Sequence, residues 1–188
     1  ADWPKGIRNP GRTVKSYVSF IAFAPTFLEI AGVPAGASGM QPFAGRSLTD
    51  LFRGEMPVPA RDRVLIGQER HDVGRPYDWG YPVRGIFRDG WLFVRNAEPF
   101  RWPAGNPETG YLNTDGGPTK TVVLQGRTNG APRGAEYWAL SFGRRPAEEL
   151  YHVAADPDCM TNRATAASQR DRLARMSSQL DRELAEQG

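Results

Sequence analysis

The spacing of apolar residues changes several times along the chain, and each change predicts an element. In SFIAFAPTFLEIAGVP the apolar positions crowd into a short strand or turn that leads into a helix. Pro25 suits the first helical position, where its missing N–H would have no intrahelical partner anyway. Gly32 suits the left-handed position after the last turn. Phe27, Leu28, Ile30 and Ala31 give this helix a face expected to be buried. A Gly/Pro loop from Pro34 to Gly45 follows, then a short helix, SLTDLFRG, with Ser47 as N-cap and Gly54 as stop. RVLIGQE, Arg63 to Glu69, reads as a buried strand. PVRGIFRDGWLFVRN is the clearest hairpin: Val83–Arg88, an Asp89-Gly90 turn, then Trp91–Asn96.

From Ala97 to Arg133 the pattern breaks down into a long segment rich in Gly, Pro and Asn, expected to be a loop packed by Trp102 and Tyr111. AEYWALSFG suggests a helical turn, EELYHV a short strand, and AADPD a turn. From about Asn162 to Glu186, Leu173, Met176, Leu180 and Leu184 recur at spacings of three and four, which predicts an amphipathic helix. The sum is an α+β fold: an antiparallel sheet of about four strands with the C-terminal helix against one face.

Composition narrows the classes of function. With 39% hydrophobic and 24% charged residues the chain is expected to be globular. Its net charge of +3, without a Lys/Arg block, excludes an evident nucleic-acid surface. The single cysteine, Cys159, cannot form an internal disulfide. No run reaches the ~18 apolar residues of a membrane span, and the opening ADWPKGIRNPG has no signal-peptide order and reads as the middle of a protein. The cations are mostly arginine, which suits bidentate grip on anions. They gather with histidine, acids and rings in GQERHDVGRPYDWGYPVRG, at the end of the Arg63–Glu69 strand.

Four segments together resemble the C-terminal part of a sulfatase of the formylglycine-dependent, alkaline-phosphatase-like superfamily. VSFIAFAPTFLEIAGVP, FAGRSLTDLFRGE, YPVRGIFRDGWLFVRN and EELYHVAADPDCMTNRA are similar to family segments in the family's order and at its spacing. ERHDVGRP, RWPAGNPE and DGGPTK look most like bacterial enzymes near heparan N-sulfatase (sulfamidase). Two positions depart from the pattern: Ala22 and His152 stand where the family usually has Asp. The resemblance implies that residues 1–55 are the tail of a large α/β domain and that residues 56–188 are the smaller C-terminal subdomain. It implies calcium and formylglycine in an upstream catalytic half, with no cofactor in this chain. Cys159, in DCMTN, is not in the family's Cys/Ser-x-Pro-x-Arg motif.

The resemblance also implies the partners: a sulfated sugar substrate and the upstream half of the same protein, in a periplasmic or extracellular enzyme. The isolated chain is expected to be inactive and to supply substrate-specificity loops. The substrate contacts expected from the loop after the strand are Glu69, Arg70, His71, Asp72 and Arg75, because guanidiniums clamp sulfates and carboxylates accept from sugar hydroxyls. Tyr77, Trp79 and Tyr81 are expected to pack the loop, and Arg84 to form an interdomain ion pair. A second group comprises Arg101, Trp102, Asn106 and Glu108; Asp115, Thr119 and Lys120 are candidates for the same mouth. His71 and Asp72 alone do not make a metal site, which needs three or four ligands. The alternative is a non-catalytic carbohydrate-binding or interaction module derived from a sulfatase. Such a module should not need the apolar N-terminal helix.

Overall fold

A computed structural model gives the architecture and describes residues 3–54, 61–70, 75–106, 111–112 and 114–187. The chain divides into two units, residues 1–65 with 87–89 and 181–188, and residues 66–86 with 90–180.

The first unit holds helix α1 (Phe23–Ile30) and helix α2 (Thr49–Arg53). A 3-10 turn over Phe20–Ala22 precedes α1, so Pro25 falls at the third helical position rather than the first. It is tolerated there because N–H groups throughout the first turn lack helical partners. Gly32 and Gly54 take the expected left-handed conformation, with φ of 69° and 66°. The N-cap of α2 is Leu48, one residue later than the sequence suggests, although Ser47 Oγ still accepts from Thr49 N at 3.2 Å. Ala22, Leu48 and Leu51 form the buried cluster, with Phe52 against it. Thr26 ties the helices together: its hydroxyl donates to Ala22 O at 2.6 Å and accepts from Leu48 N at 2.8 Å. Gly45 is required here, since a Cβ would lie 2.0 Å from Ile21 O.

The face of α1 expected to be buried is not. Phe27 is 65% exposed, and Ile30 and Ala31 are exposed too. The helix turns its small side, Ala22 and Thr26, inward, which the Thr26 hydrogen bonds demand. Phe20, Phe23 and Phe27 stack on one another along the exposed side, with centroids 5.2 and 6.1 Å apart.

The sheet is antiparallel and four-stranded, as expected, in the order β1 (Arg63–Gln68), β2 (Val83–Arg88), β3 (Trp91–Asn96), β6 (Glu148–His152). Asp89 and Gly90 both have positive φ, 51° and 75°, as the tightest hairpin turn requires. Strands β4 (Gly105–Asn106) and β5 (Tyr111–Leu112) make a separate two-stranded ribbon. The segment expected to be a long loop contains helix α3 (Pro118–Gly126), with proline at its start, and AEYWALSFG is helix α4 (Gly134–Phe142) rather than a single turn. The two helices approach so closely that a Cβ on Gly134 would lie 2.1 Å from Gly126 O.

Register places Trp91, Phe93 and Arg95 opposite His152, Leu150 and Glu148 on one face, and Leu92 and Val94 opposite Tyr151 and Glu149 on the other. Helix α5 (Arg170–Gln187) meets the first face: Arg172 lies over Trp91 at 4.3 Å, and Arg95 donates to Ser177 Oγ at 2.7 Å. Ile86, Phe93, Leu150 and Leu180 are wholly buried, each worth roughly 1.5–3 kcal/mol of apolar transfer. Helix α5 begins eight residues later than the apolar spacing suggests. Asn162 binds the outer edge of β6 instead, accepting from Leu150 N at 2.9 Å and donating to Glu148 O at 3.2 Å. Arg163 N donates to Leu150 O at 2.8 Å. No helix among the described residues is long and apolar enough to cross a membrane.

Candidate functional site

The second face of the β3–β6 pair opens into a cleft of about 670 Å³ in the second unit. Its floor is Val94, Asn96 and Glu149, and it is lined further by Arg70, Arg75, Tyr81, Leu140, Ser141 and Arg145. Pro103, Ala104, Thr114 and Asp115 complete the mouth. Strand periodicity explains the floor. Because side chains alternate, Leu150 enters the core while Glu149 and Tyr151 turn to the cleft face.

Glu149 is only 4% exposed yet fully partnered. It accepts from Asn96 Nδ2 at 2.8 Å, from Arg145 Nη2 at 2.5 Å and from the Tyr151 hydroxyl. Burial alone would raise its pKa, but the donors Arg145, Tyr151 and Asn96 outweigh it and hold the carboxyl below its ordinary value. Glu149 therefore has no proton to give at neutral pH. Its role is to orient Arg145, which also donates to Tyr151 Oη at 3.0 Å. Tyr81 is buried, and its hydroxyl has no hydrogen-bond partner among the described residues. Burial pushes it up to about 12; the Glu149 carboxylate adds to the rise, and the Arg145 and Arg75 guanidiniums oppose it.

The residues singled out in sequence have distinct places. Glu69 pairs with Arg84 at 3.1 Å and does not line the cleft; the ion pair expected of Arg84 is thus local. Arg70 lines the cleft and pairs with Asp78 at 2.5 Å. Arg75 lines it too, buried, with its guanidinium donating to the Trp102 carbonyl and to Pro103 O at 2.6 Å. Arg101 pairs with Glu98 at 3.3 Å, donates to Gly80 O at 3.0 Å and lies over the Trp79 ring at 5.0 Å. Lys120 donates to Thr114 O at 2.6 Å, at the cleft mouth. Thr119 is exposed at the start of α3. His71, Asp72 and Glu108 lie outside the described residues, as do the side chains of Asn106 and Tyr111.

Trp102 packs as expected, edge-on to Trp138 at 5.8 Å, with Arg144 at 4.5 Å over its ring. Of the three rings expected to pack the loop, only Tyr81 is buried; Tyr77 and Trp79 are exposed. Sequence reasoning passed over Asn96, Arg145, Glu149 and Tyr151. The available signal was period-two alternation in EELYH, which puts an acid and a tyrosine together on the face opposite Leu150.

Among the described residues no group of three or more His, Cys, Asp or Glu could hold a metal ion. Burial pushes the Cys159 thiol up, and Asp156 and Asp158 push it further. What the cleft can do is bind: guanidiniums toward an anion, with carboxylates and amides toward hydroxyls.

No protein-family model matches the chain, and no curated protein matches it. Solved structures do. A protein described as a candidate sulfatase from Bacteroides thetaiotaomicron VPI-5482 is similar over 86% of this chain and 23% of its own, at 17% identity and a TM-score of 0.49. BT4656, solved in complex with its substrate D-glucosamine-2-N,6-O-disulfate, is similar over 86% of this chain and 22% of its own, at 18% identity and a TM-score of 0.46. This chain therefore spans less than a quarter of the length of these structures.

Proposed function

We propose that the chain is the C-terminal region of a sulfatase that hydrolyses sulfate esters or sulfamates of a sulfated glycan, and that it forms one wall of the substrate pocket. The observation that carries the reading is the coincidence of motif and element. The four segments that resemble sulfatases fold, in order, as α1, as α2, as the β2–β3 hairpin and as β6 with its following turn. The cleft beside β3 and β6 adds the chemistry: Arg70 and Arg145 line it as cations suited to an anionic group, each also paired with a carboxylate of the chain, and Asp115 lines it for hydroxyls. Arg75 lines the same cleft and Lys120 bonds to Thr114 O at its mouth; Glu69 and Arg101 are not among its lining residues, so substrate contact by them, as by His71 and Asp72, rests on the resemblance.

In this reading residues 1–55 are the tail of the large domain, and calcium and the formylglycine nucleophile belong to the upstream half. The exposed Phe20–Phe23–Phe27 row supports an upstream partner over a stand-alone module, which would leave that row in water. The resemblance to sulfamidase-like enzymes makes N-sulfated glucosamine the first substrate to try, in a periplasmic or extracellular setting.

The test is sulfate release from N- and O-sulfated heparin disaccharides with calcium present. Two proteins are compared: this chain, verified at 20.8 kDa by intact mass, and the chain extended through its upstream coding sequence. Release by the longer protein alone is the expected outcome. Release by the isolated chain, or by neither, overturns the proposal.

A further inference from the structure

The loop after β1 is held by more bonds than a connection needs. Arg70 grips Asp78 twice, at its carboxylate (2.5 Å) and at its carbonyl (3.1 Å). Arg75 grips the Trp102 and Pro103 carbonyls. Arg101 reaches Gly80 O and covers the Trp79 ring. Asp78 N donates to Arg75 O at 2.9 Å, and Tyr81 N to Glu69 O at 2.8 Å.

This scaffold enforces an uncommon backbone. Tyr77 (φ 58°) and the adjacent Asp78 (φ 57°) both sit in the left-handed region, where each non-glycine residue is disfavoured by its own Cβ. Such strain persists only where the surroundings over-determine it, and it concentrates at ligand-binding positions. Here the strained residue buries nothing: Tyr77 is 86% exposed. Its ring lies 5.2 Å from that of Trp79, itself 48% exposed, with 38° between the planes.

We propose that Tyr77 and Trp79 are a stacking platform for one pyranose ring of a saccharide, beside the cleft that Arg70 lines. Three features choose this occupant. The exposed parts of the two rings, most of Tyr77 and about half of Trp79, offer at most roughly 300 Å² of apolar surface, which is on the scale of one sugar ring and far below the ~800 Å² per partner of a stable protein interface. Charged groups accompany the rings: Asp78, which follows Tyr77 in the chain and is held by Arg70, and Arg101 over Trp79. A sugar carries hydroxyls around an apolar C–H face and so meets both kinds of group at once. The platform is also continuous with the cleft through the Arg70–Asp78 pair. The saccharide class rests on the reading given under the proposed function, but the stacking does not require sulfate.

Calorimetric titration of the full chain with two heparin-derived tetrasaccharides, one native and one fully desulfated and re-N-acetylated, tests the platform. Wild type is expected to bind both. Tyr77→Ala and Trp79→Ala should each weaken both ligands about tenfold, while Tyr77→Phe, which keeps the ring, should bind like wild type. Tyr77→Gly is the diagnostic variant: glycine relieves the left-handed strain, so its melting midpoint should rise while binding falls. Failure of wild type to bind either sugar, or unchanged binding by Tyr77→Ala, overturns the platform. Equal affinity for the two sugars leaves the platform standing and counts against a sulfate-recognising cleft.

Discussion

The two faces of the β3–β6 pair solve opposite problems within five residues of register. On one face Phe93 and Leu150 are wholly buried, and Trp91 lies between Arg172 at 4.3 Å and the His152 ring at 4.4 Å. On the other, Val94 and Glu149 meet with Asn96 at the floor of an open cleft, and burial is tolerated because every oxygen of Glu149 is hydrogen-bonded. The first face stabilises through area, without regard to direction. The second stabilises through geometry, and it fails when one partner is lost. A ligand can reach only the second.

The comparison can be broken most severely from the apolar side. Phe93→Ala should cost about 3–5 kcal/mol, since it removes a wholly buried ring and leaves a cavity; urea unfolding reads the change as a lower midpoint. An unchanged midpoint would mean that this face is not the core.

Glu149→Ala should cost about 2–3 kcal/mol. It strips Arg145, Tyr151 and Asn96 of their shared acceptor, and the loss is softened because Arg145 is partly solvated. It should also weaken sugar binding, which the Phe93 variant, where folded, should not.

A pH series sharpens the same contrast. The Glu149 carboxyl titrates below its ordinary value in the folded protein, so its stabilisation is complete above pH ~4.5 and is lost as the pH falls further. The stability difference between wild type and Glu149→Gln should therefore shrink in that acidic window; a constant difference would deny the linkage. The smallest effect is expected from Arg172→Ala, about 1 kcal/mol for a cation above a largely buried indole. It should be visible as a changed Trp emission.

The hairpin, the four strands, the α+β class and the final helix are legible because period and turn chemistry are local; β1, which reads as buried, holds only half-buried and exposed residues because it is an edge strand. Asp89-Gly90 needs no partner to declare itself. Helix α3 was hidden: Gly116-Gly117-Pro118 reads as a loop, although proline at the first position starts a helix as readily. The apolar spacing makes helix α5 too long because Asn162 bonds to a strand distant in sequence, which periodicity does not see. The buried side of α1 differs from the apolar pattern for a similar reason: hydrophobicity ranks Phe27 above Thr26, but the hydroxyl of Thr26 has two backbone partners. At the site, arginines were visible by type, while their acceptors, mainly carbonyls of Trp102, Pro103 and Gly80, carry no mark in a sequence. Tyr77 reads as a packing residue in the sequence because its backbone conformation is imposed by those same remote contacts.

One feature of β6 bears on how the protein survives at high concentration. This strand ends the sheet, and its outward groups would otherwise invite a strand from another molecule. Asn162 and Arg163 occupy Leu150 N, Leu150 O and Glu148 O, and Ala155 N and Asp156 N close off His152 O. A single asparagine side chain thus acts as a surrogate strand. Removing it should leave the fold nearly intact and make the solution prone to clouding, read as turbidity against concentration, so colloidal behaviour here depends on a side chain that bonds to strand backbone.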